Sequence, residues 1–211
     1  MRKSILIIYR SNKHNEGDNM SCRFIYLGFE NLKRSFFKVR FLITLIGLAF
    51  IIAYSGASFS IYGGNYKAIY TANDFINYFL NDFTVIGVFL LALFVVFLSG
   101  AFDEGEVNYM HISRLKRRSD VFKSDILTIF LCSVVFLILT VSGVCIVGAL
   151  ISDFNFEWSQ FATLIIKERG YGILSSVYTP VTSIIISIWL LFMLLVITGL
   201  LFYLGYSISK E

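Results

Sequence analysis

The stretch "VTSIIISIWLLFMLLVITGLLFYLGYS", residues 181–207, contains no charged side chain. A transmembrane helix needs about 20 mostly apolar residues, and a helix satisfies every backbone hydrogen-bonding group within its own segment. The same uncharged, apolar pattern occurs in residues 41–58, 83–102 and 126–152. The sequence therefore predicts four membrane-spanning helices, called here the first to fourth spans in chain order.

The composition also indicates an integral membrane protein. Apolar residues make up 57% of the chain and charged residues only 15%, whereas about 25% of the residues in an average soluble domain are charged. The opening "MRKSILIIYR" has too short an apolar core for a cleavable signal peptide, and no small-residue cleavage site follows it. These features predict an all-α, polytopic helical bundle in which residues 41–211 form the transmembrane domain.

Lys and Arg are distributed asymmetrically along the chain. Of the 18 Lys and Arg residues, all but Lys67, Lys167 and Arg169 lie before the first span, between the second and third spans, or at the C-terminus. Because cytoplasmic loops carry the excess of these residues, both termini are predicted to be cytoplasmic in a multi-pass protein of the cell membrane. The net charge of +4 then reflects topology, and nucleic-acid binding is not expected. The abundance of Ile, Phe, Asn and Lys favours a bacterial source.

Residues 21–40, "SCRFIYLGFENLKRSFFKVR", precede the first span and have a helical hydrophobic period. Apolar residues recur at steps of four, three and four, which places them on one helix face: Ile25, Phe29, Leu32 and Phe36. An apolar stripe flanked by basic residues predicts an amphipathic interface helix that lies in the headgroup plane and contacts membrane lipids. Packing against another protein chain is the alternative. Residues 1–20 are predicted to be a polar, mobile leader.

Two short amphipathic helices are predicted on the external side. In residues 71–83 the apolar face is Phe75, Ile76, Phe79 and Leu80, and Thr71 or Asn73 is the candidate cap. In residues 152–172 the apolar face is Trp158, Phe161, Leu164 and Ile165, and Gly170 is the candidate stop. Both helices are expected to anchor in the outer leaflet, and an outer gate is the alternative function.

A charge-dense hairpin, "FDEGEVNYMHISRLKRRSDVFKSDI" at residues 102–126, separates the second and third spans. Acidic residues come first and basic residues follow, and the length suits one short helix between two turns. Ser119 with Asp120 is predicted to cap the next helix, and Asp125 is predicted in its first turn, where the helix dipole favours a carboxylate. A basic hairpin also suits contact with anionic lipid headgroups, which is the simpler alternative.

The residue patterns of enzymes and metal proteins do not occur in this sequence. It has no nucleophile with a base at a motif spacing and no phosphate-binding loop. Cys22, Cys132 and Cys145 have no metal or redox spacing, and His14 and His111 belong to no zinc motif. We therefore expect no enzymatic activity, metal or cofactor in this chain, and ATP, if it is used, is bound by a partner subunit.

The order of these parts resembles the ABC-2 type permeases, the membrane subunits of ATP-binding cassette exporters. The matching positions are Glu104 and Gly105 at the end of the second span, Ser113 and Arg114 in the hairpin, and Lys123 before the third span. The resemblance covers residues 21–152 and implies that residues 106–118 form a cytoplasmic coupling helix that docks on a nucleotide-binding ATPase subunit. The family often has six spans and a proline before the Ser-Arg pair, whereas this chain has four predicted spans and Ile112.

The resemblance implies a permease subunit that works as a homodimer, or as a heterodimer with a second permease. Only mildly polar residues line the spans, which favours a hydrophobic or amphipathic cargo such as a peptide and disfavours an ion-coupled carrier. The simpler explanation is that these hydroxyls bond to helix backbone or to neighbouring helices; the group is Ser133, Thr140, Ser142, Thr182, Ser183, Ser187 and Thr198. The alternative function is a non-transporting four-span membrane protein, such as an immunity or assembly factor.

Overall fold

The computed structural model describes residues 25–33, 35–66, 69–102, 118–168 and 178–208. Regular structure in these ranges is helical, which confirms the all-α prediction. An N-terminal helix, residues 25–33, comes first. It is followed by α1 (Val39–Tyr66), α2 (Ala72–Leu80), α3 (Leu91–Phe102), α4 (Arg118–Ile151), α5 (Gln160–Glu168) and α6 (Pro180–Ile208), and a π-helical segment (Val85–Leu90) leads directly into α3.

Four helices in the described part of the chain are long and apolar enough to cross a membrane. They are Val39–Asn65, Val85–Phe102, Val121–Ile151 and Pro180–Ile208. These helices coincide with the four predicted spans, so the chain is a multi-pass membrane protein. The first span continues to Asn65, beyond the predicted end at Ser58. The added turns are held by Phe59, which is fully buried and packs against the rings of Tyr70, Phe75 and Phe161.

Aromatic rings fill the centre of the bundle. Phe94 and Phe97 of the second span contact Phe136 of the third, with ring centroids 5.4 and 6.3 Å apart. The third and fourth spans pack along each other, and a Cβ atom added at Gly199 would lie 2.5 Å from Cγ2 of Ile129. A glycine at this position therefore sets how closely the third and fourth spans approach.

The spans alternate in direction, which gives the bundle two different ends. At the hairpin end the first span begins, the second ends, the third begins and the fourth ends, and residues 103–117 join Phe102 to Arg118 there. At the α2 end the first and third spans end and the second and fourth begin. The short helices α2 and α5 belong to this second end, because each follows a span that ends there.

The helix α2 lies inside the α2 end of the bundle. Phe75 and Phe79 are fully buried, and the Phe75 ring lies close to Gly56 of the first span and Gly148 of the third. Thr71 is the residue that caps this helix. The predicted helix and its cap are confirmed, but the expectation that its apolar face anchors in the outer leaflet is wrong, since that face packs against the spans.

The helix α5 follows the prediction only in part. Phe161 is buried beside Phe59, whereas Leu164 is exposed. Trp158 lies before the helix and not on its apolar face, and its Nε1 donates a hydrogen bond to the Tyr178 carbonyl oxygen at 2.7 Å. The Ile165 side chain and Gly170 lie outside the described residues.

Candidate functional site

The hairpin end carries the residues predicted to couple the chain to an ATPase. Lys123 is exposed on α4, about one and a half turns after Arg118 at the hairpin end. Glu104, Gly105, Ser113 and Arg114 lie outside the described residues, together with residues 1–24 and both histidines. The spans that flank the hairpin and the N-terminal helix beside it are described, and their contacts define the site.

The N-terminal helix packs on the beginning of the third span. A Cβ atom added at Gly28 would lie 2.9 Å from Cδ2 of Leu127, so the two helices are in close contact at this glycine. Asn31 Nδ2 donates a hydrogen bond to Thr128 Oγ1 at 3.5 Å. These contacts attach residues 25–33 to the span that follows the hairpin.

The chain that leaves the N-terminal helix also contacts the end of the second span. Ser35 Oγ donates a hydrogen bond to the Phe97 carbonyl oxygen at 3.0 Å. Arg40 Nη1 donates to the Ser99 carbonyl oxygen at 2.9 Å. Phe36 packs edge-on against Phe97, with ring centroids 6.1 Å apart. The segment around Ser35 is therefore bonded to the span that precedes the hairpin.

The predicted apolar stripe of the N-terminal helix is divided between two environments. Leu32 is only 9% exposed and Phe36 is half-buried, but Ile25 is 41% and Phe29 is 54% exposed. The expectation of one uniform lipid-facing stripe is wrong in this respect. The small residues Gly28 and Ser35 allow close approach to the bundle and thereby turn Leu32 inward, while Ile25 and Phe29 stay outward.

Two tyrosines at the end of the fourth span contact both spans that flank the hairpin. The ring of Tyr203 packs against the ring of Phe122 on α4, with ring centroids 6.1 Å apart, and its hydroxyl interacts with the Asp125 carboxylate. The Tyr206 hydroxyl donates to the Phe102 carbonyl oxygen at 2.8 Å. Sequence reasoning missed this pair of contacts, although two tyrosines near the end of an apolar span, "FYLGY", are visible in the sequence.

The start of the third span differs from the prediction. The helix is already formed at Arg118, so Ser119 and Asp120 lie within its first turn and do not cap it from outside. Asp125 lies about two turns after Arg118. Asp125 therefore does not lie in the first turn, where the helix dipole stabilises a carboxylate, and its side chain interacts with Tyr203 instead.

The buried hydroxyls of the spans bond mainly to their own helices. Ser133 Oγ donates to the Ile129 carbonyl oxygen and Thr140 Oγ1 to the Phe136 carbonyl oxygen, both at 2.9 Å. Ser187 Oγ donates to Asn81 Oδ1 at 3.4 Å. For these three residues the simpler prediction, hydroxyls engaged in helix packing, is confirmed.

No cluster of three or more His, Cys, Asp or Glu residues able to hold a metal ion occurs in the part of the chain that the structure describes. Cys132 and Cys145 are free thiols, and Cys132 is buried in the core. The site at the hairpin end therefore consists of packing contacts and single hydrogen bonds between elements, an arrangement suited to holding or moving helices.

Known proteins provide no further identification, since no protein-family model, curated protein or solved structure matches this chain.

Proposed function

We propose that this chain is the permease subunit of an ATP-binding cassette exporter, driven by a separate ATPase subunit that docks on residues 103–123. The observation that supports this proposal most is the position of the N-terminal helix and the segment after it. Asn31 bonds to the third span and Ser35 bonds to the second, so this region joins the two spans that flank the hairpin. A displacement of the hairpin would act on all three elements.

The fourth span extends this mechanical connection. At the hairpin end, Tyr206 bonds it to the Phe102 backbone, and Tyr203 interacts with Asp125. At the other end Ser187 bonds to Asn81, directly after α2. In the proposed mechanism, ATP-driven closure of the partner moves the hairpin, and the fourth span carries that movement to α2. A two-state change of this kind requires contacts that differ between the states.

The proposed transport pathway lies between copies of the permease and not within one bundle. The bundle interior is packed with aromatic rings, and the buried hydroxyls of Ser133 and Thr140 are bonded to helix backbone. The outer faces of the spans are apolar, as at Phe50, Trp189 and Leu201. A homodimer, or a heterodimer with a second permease, would therefore enclose an apolar path suited to a hydrophobic or amphipathic cargo such as a peptide.

The proposal is tested by affinity purification of the full chain in mild detergent, followed by mass spectrometry and an ATPase assay of the eluate. The test variant carries Glu104→Arg together with Arg114→Glu. The control is Glu157→Arg, a charge reversal at an exposed position on the α2 end. We expect an ATPase with the wild type and the control but not with the double variant. If no ATPase accompanies any of the three, the exporter proposal fails.

One observation favours the alternative, a non-transporting four-span protein such as an immunity or assembly factor. The buried hydroxyls of Ser133 and Thr140 are bonded to the backbone of their own helix and are therefore not directed toward a pathway within the bundle. On this alternative the hairpin tolerates charge reversal, so the double variant retains the function of the wild type. The purification experiment above separates the two proposals.

A further inference from the structure

Asp74 is a buried carboxylate inside the α2 end that the proposed coupling mechanism does not use. Its side chain is only 5% exposed. Oδ2 accepts hydrogen bonds from the Thr71 backbone N–H at 2.7 Å and from the Thr71 hydroxyl at 2.9 Å. Oδ1 is buried and has no hydrogen-bond partner. Capping of α2 therefore accounts for one carboxylate oxygen and leaves the other unexplained.

Asn77 lies one turn after Asp74, and it too has a buried side-chain oxygen without a hydrogen-bond donor. Its Nδ2 donates to the Asn73 carbonyl oxygen at 3.0 Å and to the Pro180 carbonyl oxygen at 3.4 Å. Because both of these partners are acceptors, they determine which end of the amide is the nitrogen. Asn77 Oδ1 is consequently an acceptor that is shielded from solvent and has no donor.

The two unpartnered oxygens belong to residues three apart in a helix, which places the side chains next to each other on one face. The bond from Asn77 to Pro180 directs this face toward the first turn of the fourth span. A buried acceptor without a donor costs free energy, and a buried charge costs more unless an opposite charge compensates it. A single cation would compensate both side chains.

We propose that Asp74 Oδ1 and Asn77 Oδ1 are two ligands of a binding site for a hard metal cation between α2 and the fourth span. Carboxylate and amide oxygens are ligands that hard cations prefer, and backbone carbonyls or water complete such sites. Ionisable side chains buried in membrane bundles commonly mark ion or substrate sites. The bound cation holds α2 against the fourth span. This inference does not depend on an ATPase partner.

The test measures thermal unfolding of the purified full chain in detergent at constant ionic strength. N-methylglucamine chloride is the reference, and NaCl, KCl or CaCl2 replaces it in separate titrations. A cation that binds only the folded protein raises the melting temperature with the logarithm of its concentration above the dissociation constant, by about 5–10 °C at 100 times that constant. We expect such a rise with one of the three metal cations.

Asp74→Asn removes the charge but keeps an oxygen that accepts from Thr71, and we expect it to abolish the rise. Asp82→Asn is the matched control, because Asp82 Oδ1 also caps a helical segment, accepting from the Thr84 and Val85 N–H groups. The control should retain the wild-type response. An equal response in both variants overturns the proposal, as does the lack of any response in the wild type.

Hydrogen exchange of the wild type keeps the proposal testable if Asp74→Asn does not fold. Addition of the stabilising cation should slow amide exchange in α2, residues 72–80, more than in the four spans. Uniform protection along the chain, or none in these residues, places the ion elsewhere and overturns the assignment to Asp74 and Asn77.

Discussion

The Tyr206 hydroxyl lies 2.8 Å from the carbonyl oxygen of Phe102, so the end of the fourth span is bonded to the last residue of the second. Tyr203 adds contacts with Phe122 and Asp125 on the third span. At the opposite end of the same helix, Ser187 bonds to Asn81. One continuous helix therefore contacts the flanks of the hairpin at one end and the segment after α2 at the other.

Tyr206→Phe removes the hydroxyl and retains the ring. We expect a loss of about 1 kcal/mol in stability, because the Phe102 carbonyl loses this bond. Tyr54→Phe is the control, since Tyr54 is exposed on the first span and its ring stacks on Phe50 in either form. Melting temperatures in the same detergent measure the difference. Equal melting temperatures for the two variants would show that the Tyr206 bond does not stabilise the bundle.

Gly199→Ala tests the close approach of the third and fourth spans. The added methyl group meets Ile129 Cγ2 at 2.5 Å, and overpacking of this kind costs roughly 1–3 kcal/mol. Gly205→Ala makes the same change in the same helix at a position with no atom within 4 Å, so its stability should be unchanged or slightly higher. Thermal unfolding of both variants gives the comparison. A neutral Gly199→Ala would contradict the packing described above.

Nitroxide labels on the N-terminal helix test its contact with lipid. In a chain whose cysteines are replaced by alanine, a label at Phe29→Cys should be accessible to dissolved oxygen in lipid vesicles. A label at Leu32→Cys should be protected, because Leu32 faces the bundle and Phe29 is exposed. Electron paramagnetic resonance saturation measures both accessibilities. Protection at Phe29 as well would favour the alternative in which this face binds another protein chain.

Single cysteines test the orientation predicted from the distribution of Lys and Arg. Lys123→Cys and Glu157→Cys are exposed positions at opposite ends of the bundle. A membrane-impermeant maleimide should label Glu157→Cys in intact cells and Lys123→Cys only after permeabilisation, because basic residues favour the cytoplasmic side. The reverse labelling pattern would place both termini outside.

Local sequence patterns predicted the helices well and their environments less well. The steps from Phe75 to Phe79 correctly indicated an amphipathic helix, and one of its two candidate caps, Thr71, is the N-cap. The same pattern does not distinguish a helix that lies on lipid from one that lies inside a bundle, because both require one apolar face. Gly56 and Gly148 make room for Phe75, and these two residues are distant from it in sequence.

The N-terminal helix also shows that periodicity does not predict which part of an apolar face packs against the bundle. Ile25, Phe29, Leu32 and Phe36 share one side by periodicity, yet only Leu32 and Phe36 pack toward the bundle. The contacts of Gly28 with Leu127 and of Ser35 with Phe97 determine the rotation of this helix. Small residues carry little hydrophobic signal, so a count of apolar positions overlooks them.

The sequence by itself determined the four spans, because about 20 uncharged apolar residues in a row have one stable form in a bilayer. It also determined the short helix that begins after Thr71, which local capping and periodicity specify. Only the tertiary structure decided that α2 and Asp74 are buried, that the N-terminal helix has a divided face, and that Tyr203 and Tyr206 contact the second and third spans. All three features depend on contacts between residues far apart in the chain. Those contacts form only when particular faces of the spans meet.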